Sequence, residues 1–143
     1  MSLVSDKNIA DLDKALLEAN HLIVKDGVEY SGTHLLIDLW AAARLDDLKH
    51  VEEVLRLCVS PCNATLLHIH LHKFSESGGI SGVAVLAESH ISVHTWPERN
   101  YAAFDVFMCG AANPFDVIDV LNEAFKPKVL KVKEILRGCR DGM

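Results

Sequence analysis

Ile80-Ser-Gly-Val-Ala-Val-Leu-Ala-Glu88-Ser89-His-Ile-Ser-Val-His94-Thr-Trp96-Pro97-Glu98-Arg-Asn100-Tyr101-Ala-Ala-Phe-Asp105-Val-Phe-Met-Cys109 is the stretch on which the fold turns. Ile80 to Ala87 is an apolar run of strand length, and Ile91 to Trp96 is a second strand. Pro97 to Asn100 supplies turn chemistry, and Ala102 to Cys109 returns as a third strand. Strands joined by turns this short pair antiparallel, because a parallel pair needs a long crossover.

Outward from this core, Thr65 to Phe74 reads as a strand, with Leu67, Ile69 and Leu71 alternating against His68, His70 and His72. Ser75 to Gly79 is the loop that joins it to the next strand. His34 to Trp40 is an apolar run of strand length, and alternation from Val129 onward marks the last strand. A helix opens at Asp46 or Asp47, with Leu48, Val51, Val54, Leu55 and Cys58 on one face, and stops at Ser60-Pro61. Another spans Asn113 to Phe125, with Phe115, Ile118, Leu121 and Phe125 facing inward. Ile9, Leu12, Leu16 and Leu17 place a first amphipathic helix from about Ser5 to Val24, and Gly27 and Gly32 bracket a turn after it. The expected class is α+β: a mainly antiparallel sheet with helices on one face, a two-layer sandwich whose second face needs cover.

At 143 residues the chain suits one core, and half of its residues are hydrophobic. A net charge of −6 without a basic patch argues against nucleic acid. The apolar runs are too short to span a membrane, and the early Asp6 and Asp11 do not suit a signal peptide. Cys58, Cys62, Cys109 and Cys139 fit neither a zinc knuckle nor a disulfide framework, so free thiols in a reducing cytoplasm are expected. No metal is expected either: His68, His70 and His72 share a strand face, but neighbours two apart on a strand sit about 7 Å apart.

Chemistry concentrates where the apolar strand runs into Glu88-Ser89-His90, with His94 five residues on. Without further context, Ser89 reads as a turn residue, Cys109 as core packing and His94 as a satisfied polar group. The context is a resemblance. Glu88-Ser-His, then His94-Thr-Trp-Pro-Glu98, closely resembles the signature of the prokaryotic, pyruvoyl-dependent S-adenosylmethionine decarboxylase proenzymes. The likeness extends through Tyr101 to Gly110, Gly32 to Leu39, His72-Lys73-Phe74 and Val132 to Gly138.

The resemblance implies self-cleavage at the Glu88–Ser89 bond into residues 1–88 and 89–143, with Ser89 becoming the pyruvoyl group that forms a Schiff base with substrate. It further implies His94 as the processing base, Ser81 as a hydroxyl that assists it, and Cys109 as the proton donor in turnover. Phe74, Trp96 and Glu98 match substrate contacts: rings to stack on adenine and a carboxylate for ribose hydroxyls. The implied activity is decarboxylation of S-adenosylmethionine for spermidine biosynthesis, in the cytoplasm. Residues 1–31 then form an N-terminal helical extension and 32–143 the decarboxylase domain. The loop between Phe74 and Ser81 departs from the family by one extra residue and the lack of its Pro. Two alternatives use the same fold: an arginine or ornithine decarboxylase, and a non-catalytic regulatory paralogue. Retention of Ser81, Ser89, His94 and Cys109 together argues against the second.

Ser81 and Ser89 would lie roughly 26 Å apart on one extended strand. If a hairpin forms instead, Ser81 meets His94 and Ser89 stays at the turn. A homodimer is the expected resolution, in which Ser89 and Cys109 of one chain meet Ser81 and His94 of the other and the open sheet face is covered; a local chain reversal near Ser89 is the competing one.

Overall fold

Leu35, Ile37 and Leu39 are fully buried, while His34, Leu36, Asp38 and Trp40 are partly exposed, which gives a strand two unlike faces. This strand is β3 (Gly32–Trp40) in the computed structural model, which describes residues 22–140. The other strands are β1 (Ile23–Lys25), β2 (Val28–Tyr30), β4 (Leu66–Lys73), β5 (Ile80–Leu86), β6 (Ser89–Trp96), β7 (Tyr101–Cys109) and β8 (Val129–Arg137). Two α-helices, α1 (Leu48–Val59) and α2 (Val117–Phe125), and two 3₁₀ turns, Pro97–Arg99 and Pro114–Asp116, complete the described elements. Six strands form one sheet in the order β4-β5-β6-β7-β3-β8, and every neighbouring pair is antiparallel.

Both helices pack on the same sheet face. Val51, Val54, Leu55 and Cys58 of α1 and Val117, Leu121 and Phe125 of α2 meet Leu35, Ile37, Ile91, Val93, Phe104 and Val106 from the sheet in one core. Asp47 caps α1 by accepting from the His50 backbone N–H at 3.1 Å. The buried Thr95 hydroxyl accepts from Ile80 N at 2.9 Å and donates to Leu45 O at 2.8 Å, tying the sheet to the loop before α1. The architecture is thus the expected α+β, with helices on one face and the opposite face of the sheet open among the described residues.

Three local expectations are corrected. The first helix does not reach Val24: Ile23–Lys25 pairs with Val28–Tyr30 as a hairpin, with Asp26 and Gly27 at positive φ in its turn. Residues 5–21 of that helix lie outside the described residues. The hairpin also means that residues 23–30 of the N-terminal extension are not helical; Tyr30 is buried, and Arg140 pairs with Glu29 at 3.3 Å. Second, a bulge between Leu66 and His68 shifts the phase of β4. Leu66 packs on the core, and Leu67 is 64% exposed instead of aligned with Ile69 and Leu71. Third, Pro114–Asp116 is a 3₁₀ turn before α2, which turns Phe115 outward and gives Val117 the inward position.

Candidate active site

The apolar strand and the Ser-bearing strand are joined by a two-residue turn, Ala87-Glu88, with Leu86 paired to Ser89. Ala87 N donates to Thr65 O at 2.9 Å, which pins the turn to the start of β4. Glu88 adopts φ +60°, a left-handed conformation that costs a residue with a Cβ about 1 kcal/mol. The backbone is therefore strained at the bond expected to break.

Alternation directs Ser89 toward the helix side, where it is 8% exposed. Cys109 on β7 reaches both sides of the Glu88–Ser89 bond. Its backbone N–H donates to Ser89 Oγ at 3.3 Å, and its thiol donates to the Glu88 carbonyl oxygen at 2.6 Å. Burial, above all, pushes the Cys109 thiol pKa up; the Ser89 hydrogen bond lowers it and the Glu88 charge raises it further. The thiol thus keeps its proton at neutral pH. A cavity of about 300 Å³ opens beside this turn, lined in part by Asn63, Thr65, Glu88, Cys109, Gly110 and Ala112.

A second group lies on the open sheet face. Ser81 is directly opposite His94 in the β5–β6 register, and Ser81 Oγ is hydrogen-bonded to His94 Nδ1 at 2.8 Å. Two residues on, the same register sets Gly79 between Phe74 and Trp96: Phe74 N donates to Gly79 O at 2.8 Å. A Cβ at Gly79 would sit 2.9 Å from Thr95 O, so no side chain stands between those two aromatic residues. The Trp96 ring lies 6.3 Å from the His94 ring, and Glu98 is exposed in the 3₁₀ turn that follows. On its other side Trp96 stacks on Tyr101 at 5.1 Å, and Tyr101 stacks on Trp40 at 4.2 Å.

Phe74, Ser81, His94, Trp96 and Glu98 therefore gather at one end of the sheet, and Glu88, Ser89 and Cys109 at the other. Five residues of β6 separate Ser89 from His94, about 17 Å, and the two side chains leave opposite faces. Within one chain the two halves do not meet. His68, His70 and His72 lie along β4, and no three His, Cys, Asp or Glu side chains among the described residues converge as a metal would require.

The sequence reading assigns no role to Asp38, which accepts from Tyr101 Oη at 2.6 Å, or to the His34–Asp105 pair at 3.1 Å. Alternation puts these residues on one face, but only the order of strands makes them neighbours.

The chain matches the S-adenosylmethionine decarboxylase family over residues 33–138. It is 44% identical over 108 residues to an S-adenosylmethionine decarboxylase proenzyme of Thermomicrobium roseum, covering 75% of this chain and 93% of that protein. A proenzyme of the same name from Methanococcus vannielii is 48% identical over 113 residues, covering 77% and 92%. The crystal structure of the adenosylmethionine decarboxylase from Aquifex aeolicus superposes with a TM-score of 0.70 at 30% identity, over 80% of this chain and 96% of that one. With sequence and fold agreeing over nearly the full length of these relatives, the chain belongs to the S-adenosylmethionine decarboxylase family.

Proposed function

We propose that this chain is a proenzyme that cleaves itself at Glu88–Ser89 and then decarboxylates S-adenosylmethionine, supplying the aminopropyl donor for spermidine. The observation that carries this reading is the Cys109 thiol donating to the Glu88 carbonyl at 2.6 Å, with the Ser89 hydroxyl held by the Cys109 N–H. A polarised carbonyl next to a fixed hydroxyl is what an intrachain acyl shift needs. Ser89 Oγ bonds to the Glu88 carbonyl carbon, the thiol steadies the oxyanion, and the C–N bond breaks as the nitrogen takes up the hydroxyl proton, leaving an ester. His94 then removes the Ser89 Cα proton, and Glu88 departs as a carboxylate. Water replaces nitrogen as ammonia at the unsaturated residue that remains, giving a pyruvoyl group at position 89. The Ser81 hydroxyl holds His94 at Nδ1, and the tautomer that carries its proton on Nδ1 leaves the Nε2 lone pair for that step.

The residues present suit this group: position 89 heads a strand beside a cavity, with a protonated thiol next to it. The pyruvoyl group supplies a carbonyl that takes up the electrons released as carbon dioxide leaves. Cys109 returns the proton. Phe74 and Trp96 stand on strands two apart in the sheet, about 9.5 Å, which leaves room above Gly79 for a flat purine between two rings. Glu98 accepts from ribose hydroxyls.

The site is completed by a two-fold dimer. Pairing two copies about a two-fold axis brings the turn end of one sheet, which carries Ser89 and Cys109, to the end of the other that carries Ser81, His94 and the aromatic slot. Residues 32–143 are the catalytic domain in this reading, and a reducing cytoplasm suits its need for a free thiol at Cys109.

Two measurements test the proposal. Processed protein should release carbon dioxide from S-adenosylmethionine and not from arginine or ornithine; release only from a free basic amino acid would replace the substrate assignment. Cys109→Ala should lower turnover of processed enzyme by at least about 100-fold. The same change at Cys58, Cys62 or Cys139 should leave turnover near that of the parent. Unchanged turnover in Cys109→Ala would return this residue to a packing role.

A further inference from the structure

We propose that Tyr101, tethered by Asp38, is a positioning residue that fixes the plane of Trp96 and so sets the affinity of the site for a planar base. This deepens the reading of Trp96 as a substrate contact and rests on it. Trp96 ends its strand and is 37% exposed, a position at which a side chain is ordinarily free to change rotamer.

Here it is backed by a row of rings built across three strands. Trp96, Tyr101 and Trp40 are directly paired in register, and their planes are within 22° and 21° of parallel. The middle ring is held at both ends. Its backbone lies in β7, and its hydroxyl donates to Asp38 at 2.6 Å, a short bond to a charged acceptor. Arg99 lies 5.8 Å above the Trp40 ring and adds a cation–π contact to the row. On the side of Trp96 away from Tyr101, Gly79 contributes no side chain. One face of the Trp96 ring is therefore committed to Tyr101, and across the side-chain-free Gly79 position the register places Phe74. A stack fixed from behind gives a base a ready-made wall, and the ordering is complete before the ligand arrives.

The only two tryptophans in the chain both belong to this row, so intrinsic fluorescence reports on it directly. The probe is 5′-methylthioadenosine, a nucleoside without the amino-acid part, titrated into processed protein by tryptophan quenching. Tyr101→Leu should weaken its binding about tenfold, the scale of a lost aromatic pair. KM for S-adenosylmethionine should rise in step, with kcat within about twofold. Tyr101→Phe keeps the stack but cuts the tether, and a loss of about threefold is expected. Asp38→Asn should match it, and Tyr101→Trp, which keeps a ring in the stack without the hydroxyl, should behave as Tyr101→Phe does. A merely structural role would lower the amount of folded, processed protein and kcat without this selective change in KM.

If Tyr101→Leu does not fold, unchanged affinity in both Tyr101→Phe and Asp38→Asn overturns the proposal. So does a folded Tyr101→Leu protein that binds the nucleoside as the parent does. No quenching by the nucleoside in the parent protein would overturn the adenosyl reading, and this inference with it.

Discussion

Ser89→Ala is expected to remain one uncut chain with no decarboxylase activity. The loss is total because the hydroxyl is needed twice, as the nucleophile that makes the ester and as the oxygen whose bond to Cβ then breaks. The variant should still fold. The hydroxyl accepts a single bond from Cys109 N at 3.3 Å, a contact whose loss costs about 1 kcal/mol, and the buried position accepts a methyl group. Denaturing electrophoresis with intact-mass measurement reads the result. The parent should give fragments 1–88 and 89–143, the second with a blocked amino terminus, and the variant a single mass. A parent chain that is fully active while intact would end the self-processing account.

The second large effect is a rescue. His94→Ala and Ser89→Ala should each fail to process when expressed alone. Co-expressed, they should form mixed dimers in which the intact Ser89 of the His94→Ala chain faces the intact His94 of the other. That chain, marked by a tag, should be cut. The geometry makes the outcome informative, because within one chain about 17 Å of strand and opposite side-chain directions separate Ser89 from His94. Mixed dimers that show no cleavage would place the site within a single chain.

Much of this arrangement is legible in the sequence, and the boundary falls at particular residues. The facing of Ser81 and His94 follows once the strands on either side of Glu88 are taken as a hairpin, since a turn of known length fixes the pairs beside it. The short turns between strands and the single apolar stripes of the helices after Asp47 and Asn113 are equally plain, so helices on one side and a second face in need of cover can be foreseen. Tyr101 and Asp38 are different. They stand 63 positions apart and meet only because β3 inserts next to β7, a choice of partner that no local pattern records. Leu67 fails for the opposite reason: alternation is a local rule, and one bulge reverses it for the residues before the bulge. The Cys109 contact with Glu88 needs both kinds of knowledge, the sheet order and a tight turn at positive φ.

The strand order carries one more consequence. A break at Glu88–Ser89 assigns β3, β4 and β5 to the first fragment and β6, β7 and β8 to the second, yet the sheet runs β4-β5-β6-β7-β3-β8. The two pieces are interleaved: all nine residues of β3 are laddered to β7 on one side and to β8 on the other. The nicked molecule is held together as a woven article is, with one thread passing between two others. Once pulled apart, its halves must find each other in solution and re-insert a central strand between two partners, a concentration-dependent search that the uncut chain never faces. On the proposed reading, assembly is a one-time event completed while the chain is whole, and a cut that creates the catalyst would also discard the easy route back to the fold.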